Sequence, residues 1–269
     1  MPVTKFQAKI ARLLAVNRSA DSYLAGGAAL HFEPNSIRYS QDLDYFHDSE
    51  GRVAKAYEAD QKLLLAEGID VSVEMHQPGY IRVIARKGKD ATKIEWAHDS
   101  AWRFMPTYLV EDRGFCLHPI DLAINKVLAL AGRDEPRDFL DVLHAHRNIL
   151  ALPGLVWAAC GKDQGFNPNS LLELLQRKGK YQAADFQRLR LNIEIDLQKM
   201  KQEWLAALEQ TRFVIDYLPT SEVGCLYYSL ATKTFVIPDR DRSAPGVAPA
   251  GAPVIPHYAT DGGILPKIH

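Results

Sequence analysis

Between Arg38 and Phe46 the chain reads RYSQDLDYF, and that alternation leaves it few ways to fold. Successive side chains of an extended strand point to opposite faces, so Arg38, Ser40, Asp42 and Asp44 share one face. Tyr39, Leu43 and Tyr45 share the other, with Gln41 the polar exception. Such a strand packs Leu43 and Tyr45 inward and holds two carboxylates side by side on its opposite face. Like charges so placed repel unless a cation sits between them, and hard oxygen ligands at i and i+2 suit Mg²⁺ or Mn²⁺. Upstream, Ser22–Ala25 reads as a strand running into Gly26-Gly27, after which Ala28–Phe32 has room for one or two helical turns. Glycine there lets the backbone approach a ligand closely and aims amide N–H groups at a phosphate.

The surrounding chain supplies a mixed α/β frame. Phe6, Ile10, Leu13 and Leu14 recur at helical spacing and predict a helix over 4–16. A strand is predicted over 37–46, a helix over 53–67 closed by Gly68, and strands over 71–75, 80–86 and 91–96. From Pro119 the period changes. Leu122, Val127, Leu130 and Ala131 predict a helix ended by Gly132, and a second starts at Pro136 and runs through Leu150. Further helices are expected over 170–176, 182–193 and 196–211. Leu226–Ser229 and Thr234–Ile237 are expected to form a hairpin. Pro245, Pro249, Pro253 and Pro256, interleaved with alanine and glycine, read as a linker or extended strap. The expected organisation is an α/β (α+β) core with a small mixed sheet over 1–115, a helical domain over 116–215 and a tail over 216–269.

Composition excludes several classes. With 269 residues, 47% apolar and 24% charged, the chain can bury a core without disulfides. Thirty-two basic residues against 33 acidic ones give a net charge of -1, so any polyanion site is local. Cys116, Cys160 and Cys225 form no C-x-x-C pair and are expected as reduced, buried thiols. No apolar run is long enough to span a bilayer, and Lys5, Lys9 and Arg12 interrupt the N-terminal apolar stretch, so a cytoplasmic protein is expected. His144 and His146 lie two apart on a predicted helix and cannot chelate one metal in the manner of an i, i+4 pair.

A glycine cradle beside a D-x-D strand is the equipment of phosphoryl or nucleotidyl transfer. Gly26, Gly27, Arg38, Ser40, Asp42 and Asp44 resemble, in order, the first motif of the DNA polymerase beta-like nucleotidyltransferases, and within them the AbiEii/AbiGii toxin family. The 28–41 interval is slightly long for that superfamily and leaves room for a turn at Glu33-Pro34-Asn35. Lys93-Ile94-Glu95 fits the second motif, with glutamate where aspartate is usual. The segment from Asp121 through Lys126, Arg133, Arg137, Asp138 and Asp141 looks like the later, helical motifs.

The resemblance implies a metal-dependent enzyme that moves a nucleoside monophosphate from an NTP to an acceptor and releases pyrophosphate. In it Asp42, Asp44 and Glu95 hold Mg²⁺ (or Mn²⁺), with Glu95 a third ligand or general base. Gly26, Gly27, Arg38 and Ser40 contact phosphates, Lys93 balances charge, and Lys126 reaches the triphosphate. Asp138 and Asp141 serve either that chemistry or, with Arg137, ion pairs that tie the helices to the strand domain. The implied acceptor is tRNA, another RNA or a protein, with a cognate antitoxin as partner and no membrane. The turns Arg86-Lys87-Gly88-Lys89 and Arg177-Lys178-Gly179-Lys180 are candidate RNA contacts. Two other readings stay open: a nucleotide-binding or regulatory module without turnover, and an interaction scaffold with Asp42 and Asp44 merely solvated.

Overall fold

Thr4 and Gln7 open the first helix with a reciprocal cap: the Gln7 amide N–H donates to the Thr4 hydroxyl and the Thr4 amide to Gln7 Oε1. The computed structural model describes residues 3–32, 36–238 and 253–267. The turn expected at Glu33-Pro34-Asn35 and most of the proline-rich strap lie outside them. Two compact units divide the chain. The first holds the residues up to His118 together with Arg190–Ile193 and Asp261–Gly263, and the second holds the remainder.

In the first unit, α1 (Lys5–Leu14) leads to β1 (Ser22–Ala25), the short α2 (Gly26–Leu30), β2 (Asp42–His47) and α3 (Glu50–Ala66). β3 (Asp70–Gln77), β4 (Tyr80–Lys87) and β5 (Asp90–His98) follow as a meander, then β6 (Trp102–Arg103), β7 (Tyr108–Val110) and β8 (Gly114–Cys116). Seven of these strands form one mixed sheet in the order β3-β4-β5-β2-β1-β8-β7. β2 runs antiparallel to β1 and parallel to β5. The pleat sorts the residues: Leu24, Leu43, Tyr45, Ile81, Val83, Ile94 and Trp96 are buried with Phe6, Ile10 and Leu14 of α1 and Val53, Tyr57 and Leu64 of α3. Each such side chain contributes about 1.5–3 kcal/mol by leaving water. The helices therefore cover one face, and the charged alternates of β2, β4 and β5 occupy the other.

Beneath the sheet lies a buried ion pair. Arg18 donates both Nη2 hydrogen bonds to Asp60, at 2.7 Å and 2.6 Å, with both side chains fully buried. Asn17 and the Trp96 indole also donate to Asp60, so its carboxylate is well supplied with donors. His47, on the same face of β2 as Tyr45, is fully buried, and burial pushes its pKa down to about 3.

The second unit contains α4 (Pro119–Gly132), α5 (Pro136–Asn148), α6 (Leu152–Lys162), α7 (Pro168–Gln176), α8 (Ala183–Phe186) and α9 (Leu197–Tyr217). A three-stranded sheet follows, of β9 (Cys225–Ser229), β10 (Thr234–Val236) and β11 (Val254–Tyr258). The expected hairpin is β9–β10, with Phe235 opposite Tyr228.

Four expectations are corrected. The helix predicted over 182–193 stops at Phe186, and residues 190–192 instead pair with the chain before β2. The regular strand begins at Asp42 rather than residue 37. The helix expected through Leu150 ends at Asn148, and α6 follows at once. Part of the expected strap is β11, which the prolines concealed: Pro256 lacks an N–H yet lies on an outer strand of its sheet, where one edge needs no donor. Cys116, Cys160 and Cys225 are free and buried, with thiols pushed up to about 12 by burial. Among the described residues no helix is long and apolar enough to cross a membrane.

Removing one partner of a buried pair strands the other charge, so Asp60→Ala should cost about 3–5 kcal/mol in urea denaturation. Glu67→Ala, which removes the exposed partner of Lys9, should cost under about 1 kcal/mol. His47 carries a separate signature. Its folded pKa lies below the unfolded value near 6.5, so the unfolded state takes up the proton first and stability falls as pH drops below about 6.5. His47→Gln should flatten that acid limb, whose slope from this one group approaches ~1.4 kcal/mol per pH unit.

Candidate active site

Register assembles the site. In the parallel β2–β5 pair Asp42 lies opposite Lys93 and Asp44 opposite Glu95, so the two sequence motifs meet on one face. One carboxylate oxygen from each of Asp42, Asp44 and Glu95 lies within 4.8 Å of the others. Three hard oxygen donors so placed fit a Mg²⁺ or Mn²⁺ ion and offer nothing to a soft metal. The Lys93 ammonium bridges the group, 3.0 Å from Asp42 Oδ2 and 2.7 Å from Glu95 Oε1. Burial alone would lower the Lys93 pKa, but the Glu95 hydrogen bond and the Asp42 charge overrule it and hold the ammonium above its ordinary value.

The glycines are set by contact with this cluster. Gly26 ends β1 at φ +60°, in the left-handed region, and a Cβ there would fall 1.9 Å from Asp44 Oδ2. Only glycine permits that approach. A Cβ on Gly27 would stand 3.0 Å from both Arg38 Nη2 and Ser40 Oγ, so the side chains expected to contact phosphate lie against the glycine turn. Ser40 donates to the Asp42 carbonyl at 3.0 Å, and Arg38, only 3% exposed, donates from Nη1 to the Tyr39 carbonyl.

Three contributors escaped the sequence reading. Arg82 of β4 lies opposite Glu95 and donates to its Oε1 at 3.0 Å. Tyr80, also on β4, lies near Glu95; burial, then the Glu95 charge, raises its phenol pKa. Gln7, the capping residue of α1, donates from Nε2 to the Ser40 carbonyl and the Thr92 hydroxyl, each at 3.2 Å. Alternation over 80–86 already put Tyr80 and Arg82 on one face, but which strand they would face is a matter of sheet order.

Lys126 lies on α4 in the second unit. Its ammonium is 2.8 Å from Asp141 Oδ2 and 3.5 Å from Asp138 Oδ1, and both acids are fully buried. Arg133 adds two hydrogen bonds to Asp138, at 2.6 Å and 3.0 Å. Asp138 and Asp141 thus bind Lys126 of α4, and Asp138 also binds Arg133 just beyond its end, all within their own unit.

No protein-family model and no curated protein matches the chain. Among solved structures it is similar to MenT4, a nucleotidyltransferase toxin from Mycobacterium tuberculosis H37Rv, over 80% of this chain and 83% of that one, with 14% identity and a TM-score of 0.52. It is also similar to JHP933 from Helicobacter pylori, over 80% of this chain and 95% of that one, with 20% identity and a TM-score of 0.46. At such identities the likeness is one of fold, and it agrees with the resemblance read from the motifs: the chain has a nucleotidyltransferase fold.

Proposed function

We propose that this protein is a divalent-metal-dependent nucleotidyltransferase that moves an NMP from an NTP to an acceptor. The observation that carries this reading is the gathering of Asp42, Asp44 and Glu95 within 4.8 Å beside a glycine turn. Asp42, Asp44 and Glu95 would hold Mg²⁺ or Mn²⁺, which supplies Lewis-acid polarisation of phosphoryl oxygens when bound. The acceptor oxygen attacks the α-phosphorus, the bond to the bridging oxygen breaks, and pyrophosphate leaves. Glu95 either completes the metal site or takes the acceptor's proton, and Lys93 offsets carboxylate charge throughout. Gly26 and Gly27 supply backbone donors to the phosphates, with Arg38 and Ser40 beside them. Lys126 is assigned a contact with the triphosphate by resemblance alone, since its ammonium is engaged by Asp138 and Asp141.

The likeness to a toxin supports the further reading that the acceptor is tRNA or another essential RNA, or a protein, and that a cognate antitoxin restrains the enzyme in the cytoplasm. The exposed turn at Arg86–Lys89 supports RNA as the acceptor class. One observation favours a second reading, a nucleotide-binding module without turnover: Glu95 is held by both Lys93 and Arg82, two cations that compete with a metal. NTP binding without pyrophosphate release would select it.

Purified protein, Mg²⁺ and radiolabelled NTPs with total cellular RNA and protein provide the assay. Asp42→Asn and Asp44→Asn should each lower incorporation at least about a hundredfold. Their melting temperatures should hold, because removing a charge relieves carboxylate repulsion. Retained transfer in Asp44→Ala would remove the main support for the reading. Asp141→Ala should instead cost about 3–5 kcal/mol of stability, as the loss of a partner from a buried pair. If it melts like wild type yet loses transfer, the helical acid belongs to the chemistry.

A further inference from the structure

The segment that carries Arg38 and Ser40 into the site is irregular: residues 36–40 precede β2 and belong to no strand of the main sheet. Its backbone is completed by residues distant in sequence. The Tyr39 amide donates to the Arg190 carbonyl at 2.9 Å, and the Asn192 amide donates to the Ile37 carbonyl at 2.9 Å. Arg38 and Leu191 sit opposite each other in the antiparallel bridge between those bonds. Side chains reinforce it. Asn192 Nδ2 donates to the Ser36 carbonyl at 3.1 Å, and the Arg190 guanidinium carbon lies 4.0 Å from the centroid of the Tyr39 ring. Residues 190–193 cluster with the first unit although the sequence on both sides clusters with the second.

We propose that Arg190–Asn192 form a strap that positions Arg38 and Ser40 for the nucleotide's phosphates, with Arg190 and Asn192 as positioning residues. This rests on the nucleotidyl-transfer reading of the site. Gln7 holds the Ser40 end of this loop, and the backbone at Ile37–Tyr39 would sample more states without the bridge, which binding a triphosphate would have to freeze. The bridge fixes them beforehand. Because Tyr39 and Arg38 leave the backbone on opposite sides, gripping Tyr39 under Arg190 leaves Arg38 lying against Gly27. The carboxylates are held separately by β2 and β5, so the strap acts on nucleotide affinity and not on the metal ligands.

The test uses the full chain with Arg190→Ala, Asn192→Ala and the double variant, and Arg190→Lys as the conservative control. The single variants should raise the KM for NTP about two- to fivefold and the double variant about tenfold, the range expected for an exposed cation–π contact and one hydrogen bond. The kcat should stay within about twofold, since the interaction is equal in ground and transition states. Mn²⁺ binding without nucleotide should be unchanged, and Arg190→Lys should recover part of the loss. Hydrogen exchange at the Tyr39 amide should accelerate in the double variant. Tyr39→Leu approaches the same contact from the other side and should show no further effect when combined with Arg190→Ala. Unchanged NTP affinity together with unchanged Tyr39 exchange in the double variant would overturn the strap, as would a fall in kcat alone. Should wild type transfer no nucleotide at all, the catalytic reading fails by itself, while Tyr39 exchange and Mn²⁺-NTP binding still decide for or against the strap.

Discussion

Three carboxylates that crowd one face of a sheet set the terms for the first unit. Two unit charges 4.8 Å apart repel by roughly 3.5 kcal/mol at an effective dielectric near 20, and Asp42, Asp44 and Glu95 form three such pairs at or inside that distance. A native protein has only about 5–15 kcal/mol of net stability, so the repulsion has to be offset on the spot. Lys93 between Asp42 and Glu95 and Arg82 against Glu95 do so. Both cations come from strands adjacent in the sheet, so the same register that creates the repulsion relieves it. The opposite face anchors the arrangement: Leu43, Tyr45, Ile94 and Trp96 are fully buried, and a slip of one residue in β2 or β5 would exchange them with the charges.

Glycine at position 26 follows from this crowding. The Asp44 carboxylate occupies the volume that any side chain on residue 26 would need, so the turn and the carboxylate face were selected together. Gln7 extends the coupling to the far side of the sheet's first helix. One amide side chain caps α1 and holds the Ser40 carbonyl, which makes the start of the helix a fixed reference for the loop entering β2. Lys126, Asp138, Asp141 and Arg133 show a parallel economy in the second unit, where α4 and α5 pack together around buried charges that satisfy each other.

What was legible in the sequence was what local geometry dictates. Alternation placed Asp42 with Asp44 and Lys93 with Glu95, and the Gly26-Gly27 pair announced a close approach, because period two and glycine's freedom need no knowledge of the rest of the fold. That β5 would lie next to β2, and that Arg82 would face Glu95, depended on a strand order with crossovers, which no local pattern records. A helix was expected over 182–193, yet Leu189, Leu191 and Ile193 alternate with the period of an extended chain, and the segment there pairs with residues 37–39. β11 was hidden by Pro253 and Pro256, since the usual argument against proline in a strand does not hold at a sheet edge.

The pairing of residue 38 with residue 191 also has a temporal meaning. A chain emerging from the ribosome has Asp42, Asp44, Lys93 and Glu95 in hand once β5 is out, and N-terminal segments fold first during synthesis. The backbone pairing of Ile37 and Tyr39 nevertheless waits for Arg190–Asn192, which emerge well over a hundred residues later. Counted from the end of β5 to Asn192, synthesis at the usual elongation rate takes roughly 5–20 seconds. Throughout that interval the nascent protein carries its acidic cluster without the backbone pairing that fixes residues 37–39, so maturation of this segment is deferred until about half of the second unit has been made.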